Sequence, residues 1–134
     1  MTNKRYRRQI SVIDIQMPAD ENPESELEWI FRCLGLGGEE DELAKEIFKE
    51  IVRSSKKEGV SSRELKEKEG VTQAAVVYHL NVFMRSGLII KQGRYYILRG
   101  SSLEETLAEV ESDLIKRLER IKKIAKKLGE EIEK

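Results

Sequence analysis

Gln73, Ala74, Val77, Tyr78 and Asn81 follow one another at steps of one, three, one and three residues, which places them on a single face of an α-helix. Gln and Asn can each bond adenine at two points in a DNA major groove, and small apolar groups meet thymine methyls. A tyrosine hydroxyl reaches a phosphate or a base edge. Val76, Leu80, Phe83 and Met84 fall on the opposite face, where they are expected to join Leu65 and Ile51 in a core. The chemistry on offer is readout of base pairs. The polar face holds no Lys or Arg before Arg85, so a surface that meets solvent or another protein is the plainer alternative.

Cations surround this stretch. Arg53, Lys56, Lys57, Arg63, Lys66, Lys68, Lys91, Arg94 and Arg99 are expected to supply phosphate contacts, which position a protein on a duplex without reading its sequence. The principal backbone set is Arg63, Lys66, Thr72, Arg85, Lys91 and Arg94, with Arg94 beside Gly93 at a turn. Other chemistries find no residues. Cys33 is the only cysteine and His79 the only histidine, so neither a disulfide nor a zinc or iron–sulfur cluster is expected, and no metal or cofactor. No Gly-rich phosphate loop, His–carboxylate pair or nucleophile elbow stands out, and the chain is not expected to be an enzyme.

The elements that must position these side chains are legible from caps and breakers. Residues 6–17 nearly alternate apolar and polar, with Ile10, Val12, Ile13, Ile15 and Met17, and read as a strand that could pair with a second chain. Asn22-Pro23 reads as an N-cap with Pro at the first helical position, and Gly35, Gly37 and Gly38 stop that acidic helix. A second helix is expected from about Asp41 to Lys57, closed by Gly59. Ser61-Ser62-Arg63-Glu64 holds a capping box that starts a short helix ending near Gly70. Thr72 caps the next, which runs to about Arg85. Residues 88–98 then read as a β-hairpin turning at Gln92-Gly93. Ser102-Leu103-Glu104-Glu105 is read as a second capping box, opening a helix of about 30 residues.

The order helix, short helix, turn, helix, hairpin over residues 41–98 is that of a winged helix-turn-helix. The run Thr72-Gln73-Ala74-Ala75-Val76-Val77-Tyr78-His79-Leu80, continuing to Ser86-Gly87-Leu88-Ile89, resembles the recognition-helix signature of ArsR-like winged-helix regulators of prokaryotes, archaeal ones among them. The resemblance implies a mainly α fold with a small β-hairpin wing, a third helix in the major groove and a wing along the DNA backbone. It implies no family metal site, because the paired thiolates or His and carboxylate sets of metal-sensing members are missing.

The final helix carries Leu103, Leu107, Val110, Leu114, Leu118, Ile121, Ala125, Leu128 and Ile132, a coiled-coil seam with one stutter between Leu114 and Leu118. At 1.5 Å per residue it should span roughly 45 Å, more than a small core covers, so Leu103, Leu107, Val110, Leu114, Leu118, Ile121 and Leu128 are read as a homodimer interface. A helix folded back on its own domain is the alternative. Three segments result: an N-terminal strand and acidic helix at 1–38, a DNA-binding domain at 39–100 and a dimerisation helix at 101–134.

The formal net charge of the 134 residues is zero. It is a balance of blocks, since residues 21–50 carry −7 and residues 51–100 carry +6. Neutrality excludes a polybasic coat protein but leaves a basic face on the central segment. The longest apolar runs are about four residues, against roughly 20 for a membrane span, and no secretory core follows Lys4, Arg5, Arg7 and Arg8. The expectation is a cytoplasmic transcriptional regulator, binding double-stranded DNA as a homodimer at a pseudo-palindromic site and touching the transcription machinery. The alternative is a winged-helix adaptor that binds protein within the transcription or chromosome machinery.

Overall fold

Local signals start and stop most of the helices. The computed structural model describes residues 11–38 and 40–133. The Asn22 side chain accepts from the Glu24 amide at 2.8 Å, with Pro23 in the first turn, and α1 runs Pro23–Cys33. The next helix, α2, spans Glu42–Arg53 and is shorter than its pattern predicts. Ser54 donates its hydroxyl to the Ile51 carbonyl at 3.0 Å, and the chain tightens into a 3₁₀ turn over Ser54–Lys56. Strand β1, Val60–Ser61, leads into α3, Ser62–Glu69, through a reciprocal capping box between Ser61 and Glu64. Thr72 accepts from the Ala75 amide at 3.2 Å and opens α4, Gln73–Arg85. Strands β2, Ile89–Gln92, and β3, Tyr95–Leu98, precede the 30-residue helix α5, Leu103–Ile132.

The fold is mainly helical with a three-stranded antiparallel sheet in the order β1-β3-β2. Val60 pairs with Tyr96 on one side of β3, and Ile89 pairs with Leu98 on the other. Strand β1 adds to the expected hairpin. It is two residues long and doubles as a helix cap, so it leaves no alternation to read. Gly59 makes the junction possible: at φ +98° it faces the Tyr96 carbonyl, and a Cβ there would sit 2.5 Å from that oxygen. At the hairpin turn Gly93 takes φ +62°.

One core draws on all three sequence segments. Phe31 and Leu34 from the α1 region, Ile47, Phe48 and Ile51 from α2, Leu65 from α3, and Val76, Leu80 and Phe83 from α4 are buried together. Phe48 links Phe31 and Phe83, with ring centroids 5.7 and 6.3 Å away. Met84 packs against this core as a partly buried neighbour. Val110 of α5 joins it at 1% exposure, flanked by Leu103, Leu107 and Leu114.

The expected strand at 6–17 is not found among the described residues; residues 6–10 lie outside them. Residues 11–17 instead run along α1. The Ile13 amide donates to the Cys33 carbonyl at 2.8 Å, and the Trp29 indole donates to the Ile15 carbonyl at 2.9 Å. These bonds to a helix end and a ring take the place of a ladder, and Val12 and Met17 are largely exposed. Among the described residues, no helix is long and apolar enough to cross a membrane.

Candidate nucleic-acid interface

The core set Val76, Leu80 and Phe83 fixes the rotation of α4 and thereby turns the opposite face outward. Gln73, Ala74 and Tyr78 are exposed, while Val77 and Asn81 are half-buried at its edge. All five expected base-reading residues therefore lie on one accessible strip. Gln73 is oriented by a residue that sequence reasoning passed over: its amide donates to the Ser62 hydroxyl at 3.1 Å, across the α3–α4 turn. Nothing in the order of residues marks Ser62 for that role, because the contact depends on how the two helices cross. The Tyr78 ring is 62% exposed and meets His79 edge-on at a centroid distance of 5.1 Å. Burial holds the His79 imidazole below its ordinary value, opposed by the charge of Asp41, so it is neutral near pH 7 and adds no cation to the strip.

The expected phosphate-binding residues divide. Thr72 uses its oxygen to cap α4 and retains a hydroxyl hydrogen to donate outward. Arg63, on the exposed side of α3, pairs with Glu67 at 3.6 Å in a solvent-screened i, i+4 contact. Lys66, Arg85 and Lys91 are exposed, and no carboxylate among the described residues ion-pairs with them. Lys91 lies over the Tyr96 ring at 5.5 Å. At the hairpin tip Arg94 donates to the Tyr95 hydroxyl at 3.0 Å, with its guanidinium 5.1 Å from the ring centroid. Tyr95 is a second residue the sequence did not single out. It props a guanidinium that would otherwise wander on four rotatable bonds.

Three of the wider cation set have other partners. Arg99 donates to Asp113 at 2.7 and 3.4 Å and to the Gly87 carbonyl at 3.4 Å, tying β3 to α5 and to the end of α4. Arg53 bonds Glu24 and approaches Glu50 at 3.5 Å, and Lys68 bonds Glu50. These charges are paired within the chain, by Glu24 on α1, Glu50 on α2 and Asp113 on α5. Lys56 and Lys57 remain exposed.

The seam residues of α5 also divide. Val110 is spent on the protein's own core and Leu103, Leu107 and Leu114 pack partly against it. Leu118, Ile121 and Leu128 are 56%, 63% and 48% exposed. Cys33 is free and half-buried, and no group of three or more His, Cys, Asp or Glu among the described residues could hold a metal ion. No protein-family profile, curated protein sequence or solved structure matches the chain.

Proposed function

We propose that the protein is a sequence-specific DNA-binding transcriptional regulator with a winged helix-turn-helix of the ArsR-like kind. In this reading α4 enters the major groove, the β2–β3 hairpin is the wing, and two chains act together on a pseudo-palindromic site. The observation that carries it is the strip on α4. Gln73, Ala74, Val77, Tyr78 and Asn81 share one accessible face, and Arg94, Lys91, Lys66 and Arg63 are exposed on the elements to either side. Gln73 and Asn81 are the adenine-reading pair, Ala74 and Val77 meet thymine methyls, and the cations fix register on the phosphates. The regulator works in the cytoplasm and contacts the transcription machinery through surfaces outside this strip.

The test is selection of binding sites from random duplex DNA by the full chain, followed by a salt titration. An enriched palindrome, bound with an affinity that falls steeply as salt rises, is the expected result. A second reading, a winged-helix adaptor that binds protein, is favoured by one observation: α4 carries no cation from Gln73 to Met84. Absence of any duplex binding at low salt overturns the regulator and leaves the adaptor.

A further inference from the structure

Helix α5 changes character at its midpoint. Residues 103–114 hold five carboxylates and no cation, whereas residues 115–127 hold seven cations and one carboxylate. The first stretch rests on the domain, and the second carries an apolar stripe that no described residue covers, with Ile115 53%, Leu118 56% and Ile121 63% exposed. Beside the first stretch lies an apolar groove of about 470 Å³, walled by Val12, Leu34, Leu107 and Leu114 and edged by Glu104 and Glu111. An open apolar groove with an acidic rim and an exposed apolar stripe flanked by cations thus sit on the same helix.

We infer that a second copy of this chain lays residues 115–128 of its α5 antiparallel along that groove, about a two-fold axis near Lys116. The inference rests on the homodimer in the proposed function and adds its direction and register. Two features of the sequence select them. First, the stripe is nearly symmetric about Lys116: Leu114 and Leu118 lie two residues either side, Leu107 and Ala125 nine. The extra four-residue step between Leu114 and Leu118, a stutter in a parallel coil, becomes the centre of an antiparallel pair. Second, Glu104, Ala108, Glu111, Ile115, Lys122 and Lys126 form one flank of the helix, at steps of 4, 3, 4, 7 and 4. A two-fold axis sets this flank against itself reversed, so Glu104 meets the partner's Lys126 and Glu111 meets the partner's Lys122. A parallel pair in register sets the basic block against itself, and that repulsion excludes it.

Charge exchange tests the register. Lys122→Glu/Lys126→Glu and Glu104→Lys/Glu111→Lys are prepared as two full-length chains of different mass, with circular dichroism to verify folding. Each alone should self-associate at least tenfold more weakly than the wild type in low salt. Mixed in equal amounts they should form heterodimers of near wild-type strength, because every reversed contact regains its opposite. In a Cys33→Ser background, Ile115→Cys should cross-link between chains. Leu128→Cys should not, because about 36 Å along the axis separates the two copies of that residue. The cysteine pair decides the question if a charge variant does not fold. A monomeric wild type, failed recovery on mixing, or cross-linking at Leu128 overturns the inference. An enriched palindrome alongside failed recovery leaves the DNA-binding reading standing; heterodimers without any DNA binding do the reverse.

Discussion

Arg94 sits where a single side chain reports on the hairpin alone. It is held against Tyr95 at the tip and forms no ion pair with a described carboxylate, so its removal leaves the core untouched. Arg94→Ala is expected to weaken binding to all duplexes about equally and to lower the salt slope by about 1, as loss of one phosphate contact does. Titration of one selected and one unrelated duplex at several salt concentrations checks this; an effect on one sequence only would show that Arg94 reads a base. Asn81→Ala should behave oppositely, relaxing preference at one base pair by about 1–3 kcal/mol while the salt slope stays. Inside the fold, Thr106 is fully buried on α5, accepting from the Gly100 amide at 2.9 Å and donating to the Ser102 carbonyl at 2.8 Å. Thr106→Val keeps the shape and strands the Gly100 amide, which should cost about 1–3 kcal/mol in urea unfolding. A valine variant of wild-type stability would mean that water reaches that amide.

Elements that rest on neighbours in sequence were legible, and those that rest on distant partners were not. Asn22, Ser61, Thr72 and Ser102 all cap the helices their types and positions announce, because a cap needs only the next three residues. Even there the reach of one carboxylate differs: Glu105 bonds the amide and hydroxyl of Ser101, one residue before the cap. The segment at 11–17 misled because alternation and β-branched residues were its only signals, and the partners that decide its fate are the Cys33 carbonyl and the Trp29 indole. Arg99 misled in the same way, as charge alone does not say which acidic helix will pack beside it. The strip on α4 was readable because the core face of a helix fixes its opposite face. The Arg99–Asp113 bond gives the docking of α5 a pH signature. The hydrogen bond from Arg99 outweighs the burial of Asp113 and holds its carboxyl below the usual value. With the folded value depressed, the contribution is whole above the unfolded Asp value of about 4 and is lost as pH falls through the folded one. Unfolding free energies of the wild type and Asp113→Asn from urea titration should therefore differ by about 1 kcal/mol at pH 7 and converge toward pH 2. A gap that persists at pH 2 would assign the difference to packing.

For the whole molecule, α5 divides into a half that belongs to the domain's core and a half to which the proposed dimer assigns association. Thr106 and Val110 lie in the core at 0% and 1% exposure, so the first three turns belong to the domain. From Ile115 onward the large apolar side chains are exposed and contribute nothing to a single chain's core. The charge blocks follow the same boundary. Excess positive charge is carried by the central segment and by the outer half of α5, and excess negative charge by the N-terminal helices and the inner half. In the proposed function, a neutral chain meets an anionic duplex and a second copy of itself with different blocks. Ending the chain after Leu114 should leave the melting temperature within a few degrees of that of the full protein at concentrations dilute enough to keep it monomeric, because the outer half adds nothing to a single chain's core and a loss under about 1 kcal/mol shifts a domain of this size by no more than that. The same truncation should leave only monomers in sedimentation at micromolar concentration. Affinity for a palindrome should fall to that for a single half-site, since two linked contacts become independent. Ending the chain after Ser102 instead removes the buried Thr106 and Val110 from the core and bares Leu34, which lines the same groove as Val110, and that chain should not fold cooperatively. If the shorter truncation melts like the longer one, α5 is dispensable to the core; if the longer one remains dimeric, the partner lies elsewhere than on its outer half.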